Sequence, residues 1–560
     1  MTSDSWNPQK AEGVSATTIG ADKWHAAGIT GKGIKLGVLD LGFGGVKAQL
    51  GDFLPENVET NISIDKMDKQ KEDHGTAVAM VVHSIAPDAE LYLAYFDGIS
   101  GGTGLVKALQ WLQQSGVQAI NYSVGSTVGP RNGQFGDAVL FDAFTRETGI
   151  PVIVAAGNSA QEHTLLKFNE GENGLHLFGE DEDGNQVYAM PFAAAPVYSI
   201  VMNWDGNWDG KEKSEYDFFV LDEDGNTTCV GNEPRRGRKN DYPLQIQMCE
   251  GDPDKLNFLV IQRKRGSTEN ILDIFIEPAL LVPWAQVPQL SVGVPADADG
   301  VLSVGAVGLT NDALEEYSSQ GPTMDERLKP EISAPTGESL PGYDKGFFGT
   351  SGAAPVVTGA AGLILQAFPD MTSGELKAYL MENVVDLGEK GPDIQFGNGR
   401  LSLPEPGGDG SIEGNTGGGD EGGSGGGSEQ GVAVIDDVRV KFGVKVKREV
   451  GLQIKVNFEL DNFEGKQMVV AALFFDADGN AVPSSDPDYD ANGTIGVGIA
   501  VKPKRNQTAF KNVTLFVPNS AFEDVTEDEL YFVVIAADAT DPENWVKVAQ
   551  SDPVQIQLEH

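Results

Sequence analysis

Cysteine, histidine, positive charge and long apolar runs are all scarce in this 560-residue chain. With only Cys229 and Cys249, no Cys-x-x-Cys spacing exists, which argues against a zinc knuckle or a thioredoxin-like redox site. Both cysteines lie in strand-like stretches of one region. They read as one disulfide or as two buried thiols. The disulfide is the expectation, and it implies an oxidising, extracytoplasmic setting. No run of roughly eighteen apolar residues occurs, so nothing reads as a membrane-spanning helix. The 40 Lys and Arg face 83 Asp and Glu, a formal net charge of -43. Phosphate backbones and anionic membranes call for the opposite sign, so neither is an expected partner. The acidic surface favours solubility and attracts cationic substrates only weakly. Met1–Lys10 is polar and lacks the apolar core of a secretory signal, and Leu558-Glu559-His560 reads as a tag remnant. A signal and any pro-region are expected to lie outside this chain, whose expected location is secreted or cell-surface.

The length calls for several domains. Residues 1–163 alternate short apolar runs with helical stretches. Strands are expected at Ile34–Asp40, Glu90–Phe96, Val117–Val124 and Pro151–Ala156, with helices after His74 and over Gly104–Gln113 and Phe135–Thr148. Such alternation predicts a parallel sheet covered on both faces by helices, an α/β fold. Residues 164–286 carry short strands and Asp-Gly turns, the pattern of an inserted β-sandwich. The α/β pattern resumes over 287–405, with a strand at Gly300–Val307 and helices at Ser351–Phe368 and Thr372–Glu382. Residues 406–431 are rich in Gly, Ser, Asp and Glu and read as a flexible linker, spanning roughly 25–30 Å as a random coil. Residues 432–557 read as a separate C-terminal β-sandwich.

Four residues carry candidate chemistry. Asp40 ends a buried strand, and the carboxyl ends of parallel strands form the functional edge of such a sheet. His74 opens a helix in Asp73-His74-Gly75-Thr76-Ala77. Ser351 opens another in Gly349-Thr350-Ser351-Gly352-Ala353-Ala354-Pro355, where backbone N–H groups and the helix dipole face an anion. Pro355 is expected in the first turn, where proline is tolerated. Asn158 follows a strand in Ala155-Ala156-Gly157-Asn158. Taken singly, each has an ordinary structural explanation: a turn aspartate, a capping histidine, an N-cap serine, a turn asparagine. Together, in the order Asp, His, Ser, they match a known catalytic order.

The blocks Val38-Leu39-Asp40-Leu41-Gly42, His74-Gly75-Thr76, Ala155-Ala156-Gly157-Asn158 and Gly349-Thr350-Ser351-Gly352-Ala353-Ala354-Pro355 resemble the signatures of the subtilase family of serine proteases. Supporting similarities are Ile120-Asn121-Tyr122-Ser123-Val124-Gly125, Val304-Gly305-Ala306-Val307 and Tyr317-Ser318-Ser319-Gln320-Gly321-Pro322. The resemblance covers about residues 20–160 and 287–403. It implies a subtilisin-like fold and serine endopeptidase activity on proteins or peptides, with no cofactor required. Ser351 would be the nucleophile, His74 the general base and Asp40 its orienting carboxylate. Asn158 and the Ser351 N–H would form the oxyanion hole. Ser123, Val124 and Gly125 would line one side of the pocket for the P1 side chain, the residue just before the scissile bond. Ala155, Ala156 and Gly157 would line the other. Leu41 stands where the family usually has Ser or Thr, and Val356 where it often has His. The calcium-binding loop common in secreted relatives is missing after His74.

A subtilase scaffold that only binds would have lost a triad residue, and none is lost. An adhesion or carbohydrate-binding role for the sandwiches is compatible with proteolysis. The acidic turns Asp205–Asp209 and Asp222–Asn226 read as hairpin turns or as sites for structural calcium. The insertion leaves the α/β part just after Asn158, so it is expected to gate or extend the substrate cleft; the other reading is an outward-pointing, stabilising domain.

Overall fold

The computed structural model describes residues 14–98, 102–181 and 183–406, and most of 432–557. The expected linker, apart from Pro406, and the tag remnant lie outside the described residues. The chain forms two compact units, one before and one after the Gly-rich segment.

The first unit is built on a nine-stranded sheet. From one edge its strands run Val384–Val385, Arg400–Leu401, Ile332–Thr336, Val301–Gly308, Val152–Ala155, Ala119–Tyr122, Lys35–Asp40, Glu90–Tyr95 and Glu59–Thr60. Every pairing is parallel except that of the first two strands. Buried strands feed both faces: Leu36 and Val38 join one core, and Leu39 joins the other. The helices His74–Ile85 and Thr350–Ala367 pack together on the first face. Their approach depends on Gly359, where an added Cβ would lie 2.5 Å from Ile85 Cβ. Thr103–Ser115 and Asp137–Thr148 contribute to the second core.

Strand boundaries agree with the sequence reading within two residues for Lys35–Asp40, Glu90–Tyr95, Ala119–Tyr122 and Val152–Ala155. The strand Ile332–Thr336 was not legible, because Ser333 and Pro335 interrupt its apolar pattern. The hairpin Glu338–Leu340 and Tyr343–Phe347 was not legible either.

The paired strands of the insertion are antiparallel; Gly179–Glu180 pairs with Gln186–Val187 separately, and seven others join one sheet. The fifteen-residue strand Met190–Trp204 makes this possible. Its start pairs with Asn257–Arg265, its later part with Leu244–Glu250, and most of its length with Ile271–Leu281. One core, including Phe192, Tyr198, Trp204, Tyr216 and Phe218, fills the interior. Cys229 and Cys249 are joined as a disulfide across two of its strands, with Cα atoms 5.7 Å apart. The acidic turns use their carboxylates locally. Asp222 Oδ1 accepts from the N–H groups of Asp224 and Asn226 at 3.0 and 2.8 Å. Asp205 Oδ1 accepts from Ile271 N at 2.8 Å.

The insertion belongs to the same compact unit as the α/β part, and a buried polar cluster fixes it there. Arg131, from the α/β part, makes a two-pronged ion pair with Asp273 on the insertion, and both side chains are at least 96% buried. His163 Nε2 lies 2.8 Å from the same carboxylate. Asn203 Nδ2 donates to Asp273 and, at 2.9 Å, to the Thr127 carbonyl. The Arg131 guanidinium lies over the Phe275 ring, which also stacks on His163. These contacts hold the insertion against the α/β part. Arg131→Met is expected to destabilise the first unit by about 3–5 kcal/mol, because it leaves Asp273 buried without its cation. Urea denaturation of the two proteins measures this, and a loss below about 1 kcal/mol would place the pair in solvent.

The second unit has two antiparallel sheets. Val432–Val446, Glu449–Asp461 and Gln507–Pro518 form one. Met468–Phe475, Gly496–Val501, Glu529–Asp538, Val546–Gln550 and Val554–Gln557 form the other. Ile454, Val456, Phe458, Val470, Phe474, Val517 and Phe532 share one core, as in a β-sandwich.

Candidate active site

Three neighbouring strands of the sheet end side by side, and this places the site. Asp40 closes the strand Lys35–Asp40, Ser123 follows Ala119–Tyr122, and Asn158 follows Val152–Ala155. Asp40 is 1% exposed. Its Oδ1 accepts from the Leu41 N–H at 2.7 Å, so the backbone still supplies a hydrogen bond at the residue where the family's hydroxyl is missing. Its Oδ2 lies 2.9 Å from His74 Nδ1. A carboxylate only accepts, so the hydrogen sits on Nδ1 and neutral His74 keeps Nε2 as an acceptor. Burial works to lower the His74 pKa. The bond to Asp40 and the charges of Asp40, Glu72 and Asp73 outweigh it, so the pKa is raised above its ordinary value. Phe347 packs edge-on against the imidazole, with ring centroids 5.5 Å apart.

Ser351 is the second residue of the helix Thr350–Ala367. Its N–H belongs to the first turn, where no helical acceptor exists. Its hydroxyl donates to the Ser123 carbonyl at 3.2 Å, so it must rotate to reach the imidazole. Pro355 lies in the second turn, not the first as expected. Proline lacks the N–H that would bond the carbonyl four residues back, which here is that of Ser351. The Ser123 hydroxyl donates to that carbonyl instead, at 3.3 Å, and itself accepts from Asn121 Nδ2 at 2.9 Å. The proline thus leaves the Ser351 carbonyl free to bond the segment that follows Ala119–Tyr122.

Asn158 is exposed, and its Oδ1 accepts from the Thr350 N–H at 2.9 Å and the Thr350 hydroxyl at 3.0 Å. The backbone N–H only donates, so this settles the amide's orientation and turns Nδ2 away from Thr350. Thr350 Oγ1 also accepts from Gly157 N at 3.1 Å. Sequence reading missed Thr350; its only signal was its place beside Ser351. Tyr317, whose hydroxyl accepts from Gly349 N at 2.9 Å, was legible only as part of a supporting block.

The two expected wall segments flank Gly293 and Val294. Ser126 and Val294 exchange two backbone bonds of 2.8 Å, and Gly293 N donates to the Ala156 carbonyl at 3.1 Å. Asp40, His74, Glu72, Asp97 and the Ser123–Gly125 segment help line an open cleft of about 680 Å³.

The model of the subtilase family matches residues 31–191 and 277–399, half of the chain. The chain belongs to the subtilase family. The match runs past the extent read from the motifs, and its second block opens at Glu277, inside the insertion. Minor extracellular protease Vpr of Bacillus subtilis is 25% identical to this subtilase over 448 residues, which cover 70% of this chain and 53% of that protein. The extracellular serine protease of Serratia marcescens is 26% identical over 401 residues, covering 69% and 32% respectively. The chain therefore spans about half the length of the first relative and about a third of the second. The solved structure of the Clostridium perfringens CspB protease is 17% identical, covering 71% of this chain and 98% of that one, at a TM-score of 0.49. Among the described residues, no helix is long and apolar enough to cross a membrane.

Proposed function

We propose that this subtilase is a serine endopeptidase that hydrolyses peptide bonds in proteins or peptides through an acyl-enzyme on Ser351. The observation that carries the reading is the 2.9 Å contact of buried Asp40 with His74 Nδ1, which leaves Nε2 as the base on the side of the sheet edge where Ser351 begins its helix. As Ser351 Oγ attacks the scissile carbonyl carbon, its proton passes to Nε2. The carbonyl oxygen becomes an oxyanion that accepts from Asn158 Nδ2 and the Ser351 N–H. Collapse expels the amine, which takes the proton from His74. Water then repeats the sequence on the ester and regenerates Ser351. Each step uses side chains and backbone of the chain itself, so no cofactor is required. Secretion is part of the proposal, supported by the extracellular relatives and by the Cys229–Cys249 disulfide, which suits an oxidising compartment. A purely binding role on this scaffold has less support, because the Asp–His pair and the oriented amide are retained.

A fluorophosphonate probe is expected to label the protein once, and peptide mapping should place the adduct on Ser351. No adduct, or one elsewhere, would refute the reading. The pH profile is a second check. Protonated His74 cannot take the serine proton, and its raised pKa extends protonation to higher pH. The acid limb of kcat/KM should therefore have its midpoint above the ordinary value of about 6.5. A midpoint below about 6 would contradict an imidazole held by Asp40.

A further inference from the structure

One carboxylate of the insertion bonds the residues that lie two beyond each expected wall of the P1 pocket. Ser159, next to Asn158, donates its hydroxyl to Glu277 Oε1. Thr127, two residues beyond Gly125, donates to Glu277 Oε2 at 3.3 Å. The two wall segments thus converge on one side chain, and the residue that spans them, Gly293, has no side chain to fill the space between. Glu277 is half-buried and takes both bonds from neutral hydroxyls. Arg131 and His163 bond other partners, although the Arg131 charge still works to lower the Glu277 pKa. Arg131 pairs with Asp273, and His163 bonds Asp273 and the Val287 carbonyl.

We propose that Glu277 closes the base of the P1 pocket and selects substrates with lysine or arginine before the scissile bond. This rests on the endopeptidase reading and names the substrate class of that site. An ionised carboxylate offers about four acceptor positions, so two remain after Ser159 and Thr127 have bonded. A partly buried carboxylate bonded only by neutral donors gains most from a cation that brings both charge and N–H groups. Burial already pushes the Glu277 carboxyl above its usual range, against the bonds from Ser159 and Thr127; an arriving cation would reverse that. The net charge of -43 adds a long-range field of the same sense.

The test compares fluorogenic tetrapeptide amides that differ only at P1: lysine, arginine, norleucine or glutamate. In the wild-type protein, kcat/KM for lysine or arginine should exceed that for norleucine by about 10–100-fold. Glu277→Gln, which keeps the shape and both hydroxyl partners, should erase most of that ratio. Glu277→Asp should retain a cationic preference. The wild-type profile needs no variant: norleucine equal to or faster than lysine overturns the proposal. So does an equal loss on every substrate in Glu277→Gln, which would make Glu277 a support for the walls only. Fluorophosphonate labelling separates the two failures. A labelled Ser351 without cationic preference refutes the role of Glu277 alone, whereas no labelling and no hydrolysis refute both readings.

Discussion

Ser351→Ala is expected to lower kcat by about 10⁶-fold, a scale borrowed from removal of the nucleophile in subtilisin. The substitution deletes one oxygen from a residue whose hydroxyl makes a single bond, to the Ser123 carbonyl. The backbone ties around it remain, since the Ser351 carbonyl still accepts from Ser123 and the helix still starts at Thr350. The fold should persist, and the thermal midpoint should move by no more than a few degrees. Single-turnover hydrolysis of a peptide amide, beside circular dichroism, measures both. His74 without its serine has no acyl group to form, so residual turnover reflects binding and the oxyanion donors alone. Activity within about tenfold of wild type would mean that another residue is the nucleophile.

Asn158→Ala carries the second-largest effect, a loss of about 10²–10³ in kcat with KM little changed, again on the scale known for this donor in subtilisin. The amide is needed once negative charge develops on the oxygen, and a ground-state carbonyl gains little from it. The structure adds a constraint that makes the role testable from the opposite side. Thr350 holds Asn158 Oδ1 through both its N–H and its hydroxyl. Thr350→Val removes the hydroxyl and keeps the N–H, so the amide is held less firmly and kcat should fall by a smaller factor. In the double variant the two losses should fall short of adding, because the Thr350 hydroxyl acts partly through Asn158 and partly through its bond from Gly157 N. Steady-state kinetics on the four proteins complete this cycle. Additive losses would show that Thr350 acts independently of Asn158, and an Asn158→Ala effect confined to KM would assign Asn158 to ground-state binding.

Much of the α/β part was legible because its signals are local. A buried strand reads as an apolar run, so Lys35–Asp40 and Val152–Ala155 were visible, and with them the positions of Asp40 and Asn158. Small residues after His74 and around Ser351 mark helices that must approach closely, as the contact at Gly359 requires. The disulfide was one of two open readings, since a pair of cysteines does not reveal its own geometry. Ile332–Thr336 escaped because its burial comes from parallel neighbours on both sides, not from an apolar run of its own.

The sequence by itself determined the family, the residue types of the candidate site and their order along the chain, because each of those is written in a few consecutive positions. The tertiary structure decided how the site is braced. Glu277 meets Ser159 and Thr127 across 118 and 150 residues, and Asn158 meets Thr350 across 192. Local propensity constrains neighbours along the chain, whereas these pairs exist only after a sheet has brought distant strand ends to one edge. The insertion shows the same division. Its turns announced antiparallel strands, but only the burial of Arg131 against Asp273 shows what holds it to the α/β part. A charge withdrawn from water must keep its partner in contact, and no stretch of sequence says which partner that will be.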